Sequence, residues 1–166
     1  MDQPAEHLSS SRVQTDAEIE IVQALGQARG TVLQRKPEKI HLAGGVNVEV
    51  DAASSDGRTV VEAYARQGAL HGAQLKKIAQ DILKLALIKK EPGKESTEAI
   101  IAFASQEARD SIRGWVQQAA EAFGVELTVV TISPQLRDAI LAVQKRQVMV
   151  NLDYVADDVG DISEGP

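Results

Sequence analysis

At 166 residues, 43% apolar and 25% charged, the chain has the length and apolar content of one ordinary buried core, which excludes global disorder. It contains no cysteine, so disulfide frameworks and thiolate metal sites are excluded, and no window approaches the ~18 uninterrupted apolar residues of a membrane span. The formal net charge of −6 opposes nonspecific nucleic-acid binding by the chain as a whole; the first residues lack the basic-then-apolar order of a signal peptide, and a cytoplasmic location is expected.

Residues 1–14 are polar, hold Pro4 and three successive serines, and predict a loose tail. Thr15-Asp16-Ala17-Glu18 has the spacing of a helix capping box, and Ile21, Leu25, Ala28 and Val32 follow at helical intervals, so a helix is expected over 16–29. A short strand over 39–42 leads into Gly44-Gly45, which supplies a permissive turn. Val46, Val48 and Val50 alternate with Asn47, Glu49 and Asp51, the period of a half-buried strand. Ser54-Ser55-Asp56-Gly57 is a turn signal, and the strand expected over 59–65 puts Val61 and Ala63 on one face and Glu62, Tyr64 and Arg66 on the other. These three strands form a meander.

Over 72–90 the apolar residues Leu75, Ile78, Ile82, Leu85 and Ala86 fall at helical spacing, beside a polar stripe of Gln74, Lys77, Asp81 and Lys84. AIIAFA at 99–104 is a buried-strand pattern, and 106–123 predicts one helix closed by Gly124, with Ile112, Trp115, Ala119 and Phe123 inward. VELTVVTI at 125–132 is a further strand. Ser133-Pro134 opens a last helix with Leu136, Ile140 and Val143 inward. Val148, Val150, Leu152 and Tyr154 alternate with polar residues, the pattern of an edge strand or docking arm through which copies of the chain could pair; from Asp157 the chain is acidic. The expected organisation is a tail over 1–14, one α/β domain over 15–147, and an extended segment with an acidic end over 148–166. The order α-βββ-α-β, extended by α-β-α, implies a mixed sheet flanked by helices.

Charge is uneven along the chain. Residues 57–90 carry seven basic side chains against two acidic ones, whereas 91–166 carry six against thirteen. The basic segment could guide a phosphate backbone or could solvate a helix surface. Asp51 and Glu62, on neighbouring strands, are candidate ligands for one hard cation; the alternative is that they sit on the wet face of a hairpin. The three histidines lack zinc-motif spacing, and no phosphate-cradling glycine loop or nucleophile elbow is present.

Helix, three-strand meander, helix, strand over residues 16–104 resembles the common core of the PD-(D/E)XK, or restriction-endonuclease-like, nuclease superfamily. Val48-Glu49-Val50-Asp51 looks like that family's second-strand acidic motif, and Val61-Glu62-Ala63-Tyr64 its third-strand motif, with Tyr64 where the family carries lysine. The resemblance implies a Mg²⁺ (or Mn²⁺) site at Asp51 and Glu62. It also implies a lysine supplied by the following helix, with Lys77 first and Lys76 second in line, and nucleic-acid contacts from Arg66, Gln74, Lys76 and Lys84. A neutral phenol at 64 can orient water but brings no cation. That departure suits a silent member that binds nucleic acid or a protein partner; an active metal-dependent nuclease and an unrelated α/β assembly module are the alternatives.

Overall fold

The computed structural model describes residues 3–159, with side-chain surroundings for 10–151; the side chains of His7 and Tyr154 and the acidic residues 160–166 lie outside the described residues. The first helix, α1 (Gln3–Arg29), begins well before the expected start, so that most of the expected tail is helical. Val13 packs against the core cluster that holds Ala17 and Ile21, extending the apolar stripe a turn further toward the N-terminus, and Thr15 lies inside the helix rather than at its cap. Pro4 is tolerated because the first helical turn has no backbone partner for its missing N–H. Glu18 instead reaches Arg35 at 3.0 Å. The helix ends at Gly30, whose φ of 62° is the left-handed conformation glycine adopts freely, while the Thr31 N–H returns to the Gly26 carbonyl at 3.0 Å.

The next elements are β1 (Leu33–Arg35), β2 (Ile40–Leu42), β3 (Val46–Val48), β4 (Ala52–Ser54) and β5 (Thr59–Tyr64). They are followed by α2 (Ala73–Lys90), β6 (Glu98–Phe103), α3 (Gln106–Asp110), α4 (Gly114–Phe123), β7 (Val125–Val129) and α5 (Pro134–Val159). The fold is α/β: a five-stranded sheet of order β1-β4-β5-β6-β7, antiparallel on its first side and parallel from β5 to β7, together with a separate β2-β3 hairpin. No helix among the described residues is long and apolar enough to cross a membrane.

The meander exists, but with different strands. β1, too short to register as a pattern, pairs with β4, and Val46–Val48 leaves the main sheet to form the hairpin with β2. Val50, past the end of that hairpin, is buried, whereas Val46 is 48% exposed.

Both faces of the main sheet are covered, and β6 shows how. Ile100 and Ala102 join Ile21 and Leu25 of α1 and Leu136 and Ile140 of α5. Ala99, Ile101 and Phe103 join Ile78, Ile82 and Leu85 of α2 and Val116 and Ala120 of α4. A strand apolar at successive positions is what burial on two sides requires. Glu20 accepts from both the N–H and hydroxyl of Ser133, at 2.7 and 2.8 Å, and so ties α1 to the start of α5.

The helix expected over 106–123 is broken at residues 111–113, and the break changes its phase. Val116 and Ala120 face inward, while Trp115 and Phe123 are 72% and 43% exposed. The strand expected at 148–154 is also corrected. α5 continues through this segment, leaving Val148, Met149 and Val150 exposed on a helix rather than offering a sheet edge.

Candidate metal and phosphate site

β4 and β5 pair in antiparallel register, Ala52 opposite Val61 and Ala53 opposite Val60. One further step sets Asp51, at the bend before β4, opposite Glu62. Side chains alternate across a strand, so Asp51 and Ala53 share a face with Glu62 and Val60. Ala53 and Val60 belong to the core beneath α2. The two carboxylates therefore stand together on the α2 side. The Ala63 N–H donates to Asp51 Oδ2 at 2.8 Å, and the Lys36 N–H donates to the Asp51 carbonyl at 2.9 Å, fixing Asp51 at both ends.

Glu62 is only 4% exposed and so does not lie on a wet hairpin face, while Asp51 is half-buried. The sheet face that alternation marks as polar is roofed by α2. From that helix Lys84 Nζ meets Glu62 Oε1 at 2.6 Å and Asp81 Oδ1 at 3.6 Å, while Lys77 Nζ donates to Asp81 Oδ2 at 2.9 Å. The lysine contact lacks hydrogen-bond alignment, so Glu62 Oε1 is a buried oxygen without a hydrogen-bond partner. Three acids and two lysines, the lysines two helical turns apart along α2 with Asp81 between them, thus share the interface between β5 and the helix.

Burial pushes the Glu62 carboxyl up to about 8; the Lys84 contact opposes this, and the negative charges of Asp51 and Asp81 add to it. Burial pulls Lys77 down, but its hydrogen bond and attraction to Asp81, reinforced by Glu62 and Asp51, leave it above the ordinary lysine value. Burial also raises the Tyr64 phenol, against the opposing pull of the Arg66 and Lys77 charges. Asp51, Glu62, Tyr64 and Lys77 thus belong to one electrostatic neighbourhood.

Not every expected residue arrives there as foreseen. Lys84, assigned from sequence to a nucleic-acid-facing surface, turns toward Glu62 and is only 28% exposed, because the buried acids attract it. Lys77 contacts Asp81 rather than either strand carboxylate. Lys76 lies on the other side of α2, in a groove with Trp115 and Arg113. Asp81 was legible only as one member of the polar stripe; its i,i+4 relation to Lys77 was the available signal. Arg66, Gln74, Tyr64 and Lys77 line one cavity at the end of β5.

Two carboxylates are hard donors of the kind Mg²⁺ or Mn²⁺ takes together with substrate phosphate, and Lys84 holds the Glu62 oxygen such an ion would need. Among the described residues no group of three or more His, Asp or Glu side chains is arranged to hold a metal, so substrate or water would have to complete the shell. His41 contacts Asn47, outside the cluster. Comparison of the chain with protein-family models, curated proteins and solved structures finds no match.

Proposed function

We propose that the chain is a metal-dependent phosphodiester hydrolase acting on nucleic acid, related to the PD-(D/E)XK nucleases. The observation that carries this reading is the β4–β5 register, which stands Asp51 across from Glu62 on one face beneath the lysines of α2. Asp51 and Glu62 would hold the ion, Asp51 already anchored by the Ala63 N–H and Glu62 exchanging the Lys84 ammonium on its Oε1 for the ion. A bound Mg²⁺ or Mn²⁺ supplies Lewis acidity and lowers the pKa of water.

The chain's own residues do the rest. Glu62 holds a proton at neutral pH and must release it to become a ligand, which couples ion binding to pH. Lys84, touching Glu62, is the helix-borne ammonium best placed to neutralise charge next to the carboxylates and would take the role that the resemblance gives to Lys77. Lys77, 57% exposed and paired with Asp81, also lines the cavity at the end of β5, where it would present positive charge to a phosphate backbone. The Tyr64 hydroxyl, protonated over an extended pH range, can donate one hydrogen bond to a phosphate oxygen.

One observation favours a second reading, in which the fold binds nucleic acid without cleaving it: the Lys84 ammonium rests on Glu62 where the resemblance would place an ion. Incubation of the protein with single- and double-stranded DNA and RNA plus Mg²⁺ or Mn²⁺ separates the two. Cleavage lost in both Asp51→Asn and Glu62→Gln supports hydrolysis. Salt-sensitive binding without turnover selects the silent reading, and absence of cleavage, nucleic-acid binding and calorimetric ion binding overturns both.

A further inference from the structure

A cavity of about 270 Å³ opens at the carboxyl end of β5, between α1, the first turns of α2 and α5. Val13, Ile140 and Val143 make one side apolar; Tyr64, Arg66 and Lys77 make the other aromatic and cationic. The α5 wall is held in place, because the Gln67 N–H donates to Gln144 Oε1 at 2.9 Å and Gln144 Nε2 returns to the Gln67 carbonyl at 3.1 Å. Arg66 makes no ion pair among the described residues, and its Nε is buried without a hydrogen-bond partner. Among the described residues the Arg66 guanidinium has no acidic partner, and its planar fork matches phosphate. Tyr64, Arg66 and Lys77 line the same cavity, and the Tyr64 ring packs at a tilt against Phe103, 5.8 Å between centroids. The volume lies just below the ~300 Å³ at which small-molecule pockets begin, which admits one compact ligand and no base pair.

We propose that this cavity takes a single unpaired nucleotide of a nucleic-acid strand, its phosphate between Arg66 and Lys77 and its base against Tyr64 and the apolar wall. The inference rests on the hydrolytic reading for the reaction and adds the substrate class: a single strand, or a nucleotide turned out of a duplex. An aromatic ring and apolar wall accept any base by its face. The cations grip what every nucleotide shares, so the pocket selects for unpaired geometry rather than for sequence.

The test uses the full chain in EDTA, so that nothing is cleaved, with thymidine 5′-monophosphate, an oligodeoxythymidine and a mixed-sequence duplex as probes in calorimetry and fluorescence anisotropy. The expected result is monophosphate binding, single strand preferred over duplex by about tenfold or more, and a loss of about tenfold in both Arg66→Gln and Val143→Trp, the latter filling the cavity. Circular dichroism checks that each variant is folded; if Val143→Trp is not, Arg66→Gln decides. Wild-type affinity in the folded variants, or duplex bound as tightly as single strand, overturns the proposal. Asp51→Asn keeps the two claims apart. Nucleotide binding retained in it, with no metal-dependent cleavage by the wild type, refutes hydrolysis alone. Cleavage by the wild type without monophosphate binding, unchanged in Arg66→Gln, refutes the nucleotide pocket alone.

Discussion

Replacing Glu62 by glutamine keeps the shape of the side chain and removes its titration, so it isolates the electrostatics of the buried acid. In the folded chain the carboxyl holds its proton up to about pH 8, whereas once unfolded it releases it near the ordinary 4.5. Between those values the native state binds one proton more than the unfolded state, and stability therefore falls as pH rises through the window. At ~1.36 kcal/mol per pH unit, the whole span amounts to at most about 5 kcal/mol. Relaxation of Lys84 around the new charge reduces this, and a fall of about 2–5 kcal/mol between about pH 5 and pH 8.5 is expected for the wild type. Glu62→Gln loses that slope. The variant should match the wild type within about 1 kcal/mol at about pH 5, where protonated Glu and Gln are alike, and exceed it by about 2–5 kcal/mol at about pH 8.5. Urea unfolding followed by circular dichroism across this range measures both curves, with an unchanged m-value as the control for the denatured state. Parallel profiles, separated by a constant offset, would refute the argument that Glu62 is buried as an acid.

Further outcomes follow from the same cluster and from the core. Calorimetric titration with Mn²⁺ at neutral pH should release about one proton per ion, detected in buffers of different ionisation enthalpy; the release should vanish in Glu62→Gln, and affinity should fall about tenfold or more in Asp51→Asn. Lys84→Met removes the cation touching Glu62, so the acid should titrate higher still; NMR of the labelled carboxyl reads the shift, and an unmoved midpoint would mean that the contact at 2.6 Å is not maintained in solution. Ile101→Ala, at the fully buried centre of β6, should lose about 2–5 kcal/mol in urea unfolding, whereas Trp115→Ala on the exposed side of α4 should stay within about 0.5 kcal/mol.

The chain's local chemistry made much of the architecture legible without coordinates. Period-two alternation, the Ser54–Gly57 turn, the apolar stripe of α2, the continuous apolar run of β6 and the Ser133-Pro134 helix start depend on a residue's immediate neighbours, and each corresponds to an element close to its expected place. The same information brought Asp51 and Glu62 forward as a pair. Segments decided by distant contacts were not legible. Residues 3–14 and 148–159 are helical in continuity with packed helices, β1 has only three residues, and the break at 111–113 rotates Trp115 out of the core.

What the sequence alone determined is which side chains share a face, because covalent geometry sets the repeat of a strand or helix. Only the tertiary structure decided what covers that face. A polar stripe reads the same whether water or a helix lies above it, and here α2 lies above it, bringing Lys84 onto Glu62 and Asp81 onto Lys84 and turning an apparently ordinary surface acid into a buried one. The dielectric around a carboxylate is a property of everything packed against it, and no run of neighbouring residues encodes it.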